Sequence, residues 1–322
     1  MPHPFLPDRP VDEAESLRSL AQGGLPLRAQ RRIWEHNQAA QPIFTSTFSA
    51  AEGVVAAATG ITPISQVMGS SVYHLGFSAY SSYGSGELTV LTAAYEQARS
   101  LALGRMQQEA TLLRAHAVVD VRFERREFEW GEGLLEFQAI GTAVRLANAP
   151  VPERAALTLL SVDDLYKLHL ASYTPVAIAM GNCFWYEDHA DCSSEGSWFS
   201  RELTGHTRAA RQARSLAVER FRHAARHFDA HGVVGTRVHR VGYDREYDVN
   251  DRSHTAFVLD LVVMGTAVVR HENPTPPPRP LLVVDLKDPR PEQELSFDSG
   301  SESDADDELD SDSDDDLDSD DD

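Results

Sequence analysis

The sequence predicts an α+β protein made of two similar halves, each reading helix–strand–long helix–strand–strand. Three observations predict it. First, QARSLAL at 97–103 returns as QARSLAV at 212–218, and the match extends over 97–123 and 212–238 with thirteen of 27 positions identical and no gap. Second, TPISQVMGSSVY at 62–73 matches TPVAIAMGNCFW at 174–185, 112 residues on. Third, IGTAV at 140–144 matches MGTAV at 264–268, 124 residues on. Ordered matches over about a hundred residues, with a spacing that drifts slowly, read as one fold written twice with small loop insertions.

Each element follows from local chemistry. FSAAEGVVAAATG opens with Ser49 and Glu52 at capping-box spacing, which predicts a short helix. Ser161 and Asp164 repeat that signal in the second half. ISQVMGSSVYHL and VAIAMGNCFWY are rich in β-branched and aromatic residues and read as strands. A Ser/Gly/Tyr-rich loop then leads to a long helix, about 89–115, with its counterpart at about 204–230. Ala98, Leu101, Ala102, Met106 and Leu113 form one apolar stripe, which Ala213, Leu216, Ala217, Phe221 and Phe228 repeat. AHAVVDVRFERREF and LLEFQAIGTAVRL read as a hairpin turned by WGEG at 130–133. In the second half that turn is expected to be longer, through DREYDVNDRSHT. One helix on a three-stranded antiparallel sheet buries a single sheet face and leaves edges that need covering. Such a unit is small, so association is expected between halves and between chains.

The domain layout expected is therefore an N-terminal arm at 1–47, with helical promise around LPLRAQRRIWEHNQ, a first copy at 48–147 and a second at 160–271. Residues 272–297 combine the stiff spacer NPTPPPRP with the short apolar run LLVVDLKD, a candidate strand for a sheet edge. Residues 298–322 hold fifteen Asp and Glu with no Lys or Arg, so this tail cannot build a core and should be disordered. It keeps the protein soluble by repulsion, or attracts a basic protein partner.

Composition excludes several classes. Net charge is −21, and without the tail it is −6, which argues against nucleic-acid binding. No run of about 18 apolar residues occurs, so no membrane span is expected. The opening MPHPFLPDRPVDEAE lacks a basic and then apolar leader, and the expected location is the cytoplasm. Two cysteines, Cys183 and Cys192, rule out a disulfide scaffold. There is no P-loop, H-E-x-x-H, G-x-S-x-G or strand-following G-x-G-x-x-G, so no catalytic residue is assigned and no enzyme is expected.

One stretch carries metal chemistry. CFWYEDHADC places Cys183, His189, Asp191 and Cys192 within ten residues, a set suited to zinc or another divalent heavy metal, although C-x5-H-x2-C is no common zinc spacing. The first half has Ser71 where the second has Cys183. The alternative is a small buried strand residue followed by a polar loop. His223, His227 and His231 follow four apart, with His223 directed to water and His231 at a helix end.

ATLLRAHAVVDV with GTAV, then ARHFDAHGVVGT with GTAV, and the upstream VMGSSVYHLG, resemble the YbjQ-like family, which carries a heavy-metal-binding label. The resemblance covers both halves. It implies a dodecin-like β-α-β-β fold and assembly into rings, pentameric for single-domain members, and no catalytic activity. Here His116 and His231 stand where the family usually has Asn or Asp. For a two-domain chain, three copies would close a six-domain ring, and five would give ten domains. The expected function is a cytoplasmic, ring-forming homo-oligomeric scaffold or small-ligand binding protein. The alternative is a metal-binding or metal-sensing protein using Cys183–Cys192.

Overall fold

The computed structural model describes residues 12–75, 84–127, 134–147, 149–188, 202–249 and 252–270. Among these are six helices and two four-stranded sheets, a mixed α+β arrangement. The proline spacer, LLVVDLKD, the acidic tail and the WGEG turn all lie outside the described residues.

The arm forms two helices, α1 (Glu13–Ala21) and α2 (Leu27–Gln38). Asp12 caps α1 by accepting the Ala14 N–H at 3.0 Å. Of these, only α2 falls on the stretch with helical promise in the sequence, LPLRAQRRIWEHNQ. Next come α3 (Ala50–Thr59), β1 (Ile61–His74), a two-residue strand β2 (Gly86–Glu87), α4 (Thr89–Leu112), β3 (Ala117–Glu127) and β4 (Leu134–Leu146). The capping box at α3 forms in full, Ser49 Oγ accepting from Glu52 N–H at 3.3 Å and Glu52 Oε2 accepting from Ser49 N–H at 2.8 Å. After β5 (Ala156–Leu157) the order repeats: α5 (Val162–Leu170), β6 (Tyr173–Asp188), α6 (Thr204–His227), β7 (Gly232–Val249) and β8 (Arg252–Arg270).

Sheet order is β1-β4-β3-β5 in one sheet and β2-β6-β8-β7 in the other. Three strands of each are antiparallel, as expected. The fourth strand corrects the three-stranded expectation. β5, from the start of the second half, lies parallel to β3 of the first. β2, from the first half, pairs antiparallel with β6 of the second. Each half thus closes an exposed edge of the other. The long turn expected in the second half is also corrected. Pairing continues along β7 and β8 as far as Val249↔Arg252, because every residue from Asp244 onward finds a ladder partner.

The irregularities of the halves coincide. Register shifts fall between Pro63/Ser65 and Pro175/Ala177, and between Val119/Arg122 and Val234/Arg237. At the latter bulges Asp120 (φ 52°) and Gly235 (φ 61°) both take left-handed backbone. α4 lies on its sheet through Ala98, Ala102, Met106 and Ala110, all fully buried. It approaches so closely that a Cβ on Gly69 would lie 1.9 Å from the Ala102 carbonyl oxygen. Gly181 repeats this at 2.1 Å from the Ala217 oxygen. Three stripe residues differ from expectation, Leu216 on α6 being half-buried like its counterpart on α4. Leu101 is half-buried, with the arm's Gly23 over it, and Phe228 is 38% exposed because it caps α6 where the helix leaves the sheet.

G-T-A-V has a physical role. Thr142 Oγ1 accepts the Thr47 N–H at 2.8 Å, and Thr266 Oγ1 accepts the Leu159 N–H at 3.1 Å. Each threonine ties the segment before the short helix to the last strand. His116 and His231 likewise accept strand-end N–H groups on Nδ1, from Leu146 and Arg270, both at 3.2 Å. These rings lock β-structure rather than face a ligand.

Candidate functional site

A polar seam runs where α4 of the first half meets β6 and β8 of the second. Strand β6 presents Asn182 and Phe184 to the helix. Arg99 Nη2 donates to Asn182 Oδ1 at 3.1 Å, and Asn182 Nδ2 donates to the Thr92 carbonyl at 3.1 Å. Thr92 Oγ1 accepts the Phe184 N–H at 3.1 Å, and the Leu88 N–H donates to the Phe184 carbonyl at 2.8 Å. The Tyr95 ring stacks tilted on Phe184, centroids 4.3 Å apart, and the Arg125 guanidinium lies 5.6 Å from the same tyrosine ring.

Charge in the seam is paired but desolvated. Arg125 binds Asp260, whose carboxylate is fully buried. Asp260 Oδ1 has no hydrogen-bond partner among the described residues. Burial pushes the Asp260 carboxyl up, against the pull of Arg125, His239 and Arg99. Burial also lowers Arg99 to about 10, opposed by Glu96 and Asp260. At the other end Arg220 Nη1 and Nη2 grip the Glu87 carboxylate at 2.6 and 3.0 Å, and Nη1 also donates to the Asn182 carbonyl at 2.8 Å. That fork holds β2 against β6.

Cys183, the one metal-candidate residue among those described, lies here, fully buried. Burial first, and then the Glu87 carboxylate, push its thiol up to about 12. At neutral pH it is the thiol and not the ligating thiolate. His189, Asp191 and Cys192 lie outside the described residues. Among the described residues no three His, Cys, Asp or Glu side chains are placed to share a metal ion. His223 is exposed on α6, as expected. The seam's chemistry is that of a joint, with buried cations and carboxylates that fix one register between two surfaces.

Sequence reasoning missed Arg99, Asp260, Glu87 and Arg220. Arg99 is the arginine of the repeated QARSLA, and Asp260 interrupts the apolar run FVLDLVV. A repeated arginine on an alanine-lined helix and a lone acid in a buried strand were the available signals.

The chain is thus an α+β protein whose two similar halves are joined through buried ion pairs. The sequence profile described as "YbjQ, putative heavy-metal-binding" matches residues 43–147, and the chain belongs to this family. It is 35% identical over 238 residues to an encapsulin nanocompartment protein of Mycobacterium tuberculosis, covering 72% of this chain and 87% of that protein. It is also 39% identical over 64 residues to a UPF0145 protein of Burkholderia cenocepacia, covering 20% of this chain and 51% of that protein. No solved structure matches. The profile match covers the first half, whereas Cys183, His189, Asp191 and Cys192 lie in the second. Among the described residues no helix is long and apolar enough to cross a membrane.

Proposed function

We propose that this chain is a non-enzymatic, self-assembling scaffold protein that works at a protein nanocompartment in the cytoplasm. It is built from two tandem copies of a dodecin-like β-α-β-β unit, each introduced by a short helix. The observation that carries this reading is the similarity to a nanocompartment protein over 87% of that protein's length. The seam supports it physically. A surface that buries Asp260, Arg99, Tyr95 and Phe184 is an assembly surface, and here two units already use it on each other.

Native mass spectrometry of the full chain, purified without tags or chelators, tests the proposal. The expected result is a discrete multiple of the 35.5 kDa chain at low micromolar concentration. A monomer would overturn the reading. A stoichiometric zinc-like mass increment, lost in a Cys183→Ser, Cys192→Ser variant, would replace it with metal binding.

A further inference from the structure

The internal joint has two sides, and each half carries both. The first half gives one side to the seam, and the second half gives the other. The unused side of each half therefore lies at the outer ends of the chain. The structure shows both as exposed versions of buried positions.

Take the strand addition first. Inside the chain, residues 156–160 run along β3: Ala156 N–H donates to the His116 carbonyl at 3.0 Å, Thr158 N–H to the Val118 carbonyl at 3.0 Å, and Asp120 N–H to the Leu160 carbonyl at 2.8 Å. The positions 112 residues earlier are 44–48, and those 115 residues after His116–Asp120 are His231–Gly235. Residues 156–160 are almost wholly buried, whereas Ile43 and Phe44 at the equivalent start are 86% and 59% exposed. His231, just before β7, and Gly235 on it are exposed, whereas His116, just before β3, is buried.

The side chains tell the same story. Phe184, 1% exposed in the seam, corresponds to Val72, 61% exposed. Leu88, 1% exposed, corresponds to Leu203, 41% exposed. Along α4, Arg99 and Gln107 reach the second half, Gln107 Nε2 donating to the Ala155 carbonyl at 2.9 Å. Their counterparts Arg214 and Arg222 line an open groove on α6 with Val218.

Charge decides the occupant. Internally Arg125 meets Asp260 and Glu87 meets Arg220. The outer counterparts are Arg240 and Glu202 on the second half, and Glu136 and Arg105 on the first. Arg105 already makes the internal contact of Arg220, donating from Nη1 to the Ser70 carbonyl at 2.5 Å, with a further bond from Nη2 to Leu20 O at 3.3 Å. Glu202 accepts only a local bond, from Thr207 Oγ1 at 2.8 Å, among the described contacts.

We infer that the outer face of the second half binds the outer face of the first half of another copy of this chain. This head-to-tail joint repeats the internal one, with residues 44–48 of one copy added in parallel to β7 of the next. Arg240 then pairs with Glu136 across the joint, and Glu202 with Arg105. The contact is heterologous, so it propagates from chain to chain until a ring closes. The inference rests on the self-assembly reading and specifies its surface.

The test is a charge-swap cycle on the full chain, Glu136→Arg, Arg240→Glu, and both together, read by native mass spectrometry and by sedimentation across a dilution series. Far-UV circular dichroism checks that every variant keeps its fold. Each single reversal should drive the assembly towards monomer, raising the dissociation constant on the order of 30-fold or more, as for one lost partner of an interfacial charge pair. The double variant should restore the wild-type mass. Ser46→Pro, which removes the N–H expected to bond the Val233 carbonyl, should also dissociate it. An assembled wild type whose mass ignores both reversals, or a double variant no better than the singles, would overturn the joint while leaving self-assembly standing. A monomeric wild type would overturn both.

Discussion

Gly69→Ala should be among the most damaging single-methyl changes available in this protein. The added Cβ would lie 1.9 Å from the Ala102 carbonyl oxygen, 2.7 Å from the Met106 nitrogen and 2.9 Å from the Ala102 carbonyl carbon. All three are helix backbone, so no side chain can swing aside. Relief requires α4 to lift from β1 by about 1 Å, and a gap of that size forfeits a quarter to a half of each dispersion contact it opens. The face that would lift carries Ala98, Ala102, Met106 and Ala110, all fully buried. Overpacking costs about 1–3 kcal/mol where neighbours can yield. Against fixed backbone the loss should reach about 3 kcal/mol or more, a large part of an ordinary domain's stability. Gly104→Ala is the control. It lies in the same helix, has nothing within 4 Å of a Cβ, and should stabilise by up to about 1 kcal/mol through helix propensity. The assay is urea unfolding followed at 222 nm, at one fixed protein concentration because assembly shifts apparent stability. A Gly69→Ala loss under about 1 kcal/mol, or the same sign for both variants, would refute the close-packing account.

Other outcomes follow from the seam. Arg125→Ala leaves Asp260 buried without its cation and should cost about 2–3 kcal/mol, below the full loss of a buried pair because the guanidinium is 30% exposed; an unchanged urea midpoint would contradict it. Asp260 is raised above its ordinary 3.8 by burial, so the folded state holds that proton more tightly than the unfolded one. Its contribution is full below the unfolded value and is lost as pH rises through the folded value. The stability of wild type relative to Asp260→Asn should therefore fall over that interval, and a difference independent of pH in urea titrations would count against the burial. In a Cys192→Ser background Cys183 should resist a thiol-specific disulfide reagent in the folded protein and react fully in denaturant, since its thiol is buried and pushed up to about 12; rapid native reaction would show that β2 opens.

Most elements were legible because their signals are local. Ser49 with Glu52, the alanine stripe of α4 and the alternation of LLEFQAIGTAV each determine a short stretch without help from elsewhere. What was not legible depends on distant partners. β2 and β5 are two residues long and have no periodicity to read; each exists only because another strand offers an edge. The length of the β7–β8 hairpin was misread because DREYDVNDRSHT is polar, and polarity resembles a turn until the ladder partner is known. The seam failed for a similar reason. Arg99 and Arg220 look like ordinary solvent-facing arginines on long helices, and only the facing strand β6 removes water from Arg99. Cys183 drew attention as a ligand type, while its surroundings make it a small packed side chain beside an ion pair.

The exchange of β2 and β5 has a consequence for synthesis. As the chain leaves the ribosome, β1, α4, β3 and β4 emerge together, yet the free edge of β3 gains its neighbour only when residues 156–160 appear. β2 in turn waits, made but unpaired, until β6 has been translated. β2 must therefore stay without its ladder partner through the synthesis of roughly a hundred further residues, from Gly86 to Tyr186. A protein whose units finish one another is exposed to partner exchange while it is being made, and the Arg220–Glu87 clasp, available only after α6 is translated, is the step that ends the exposure.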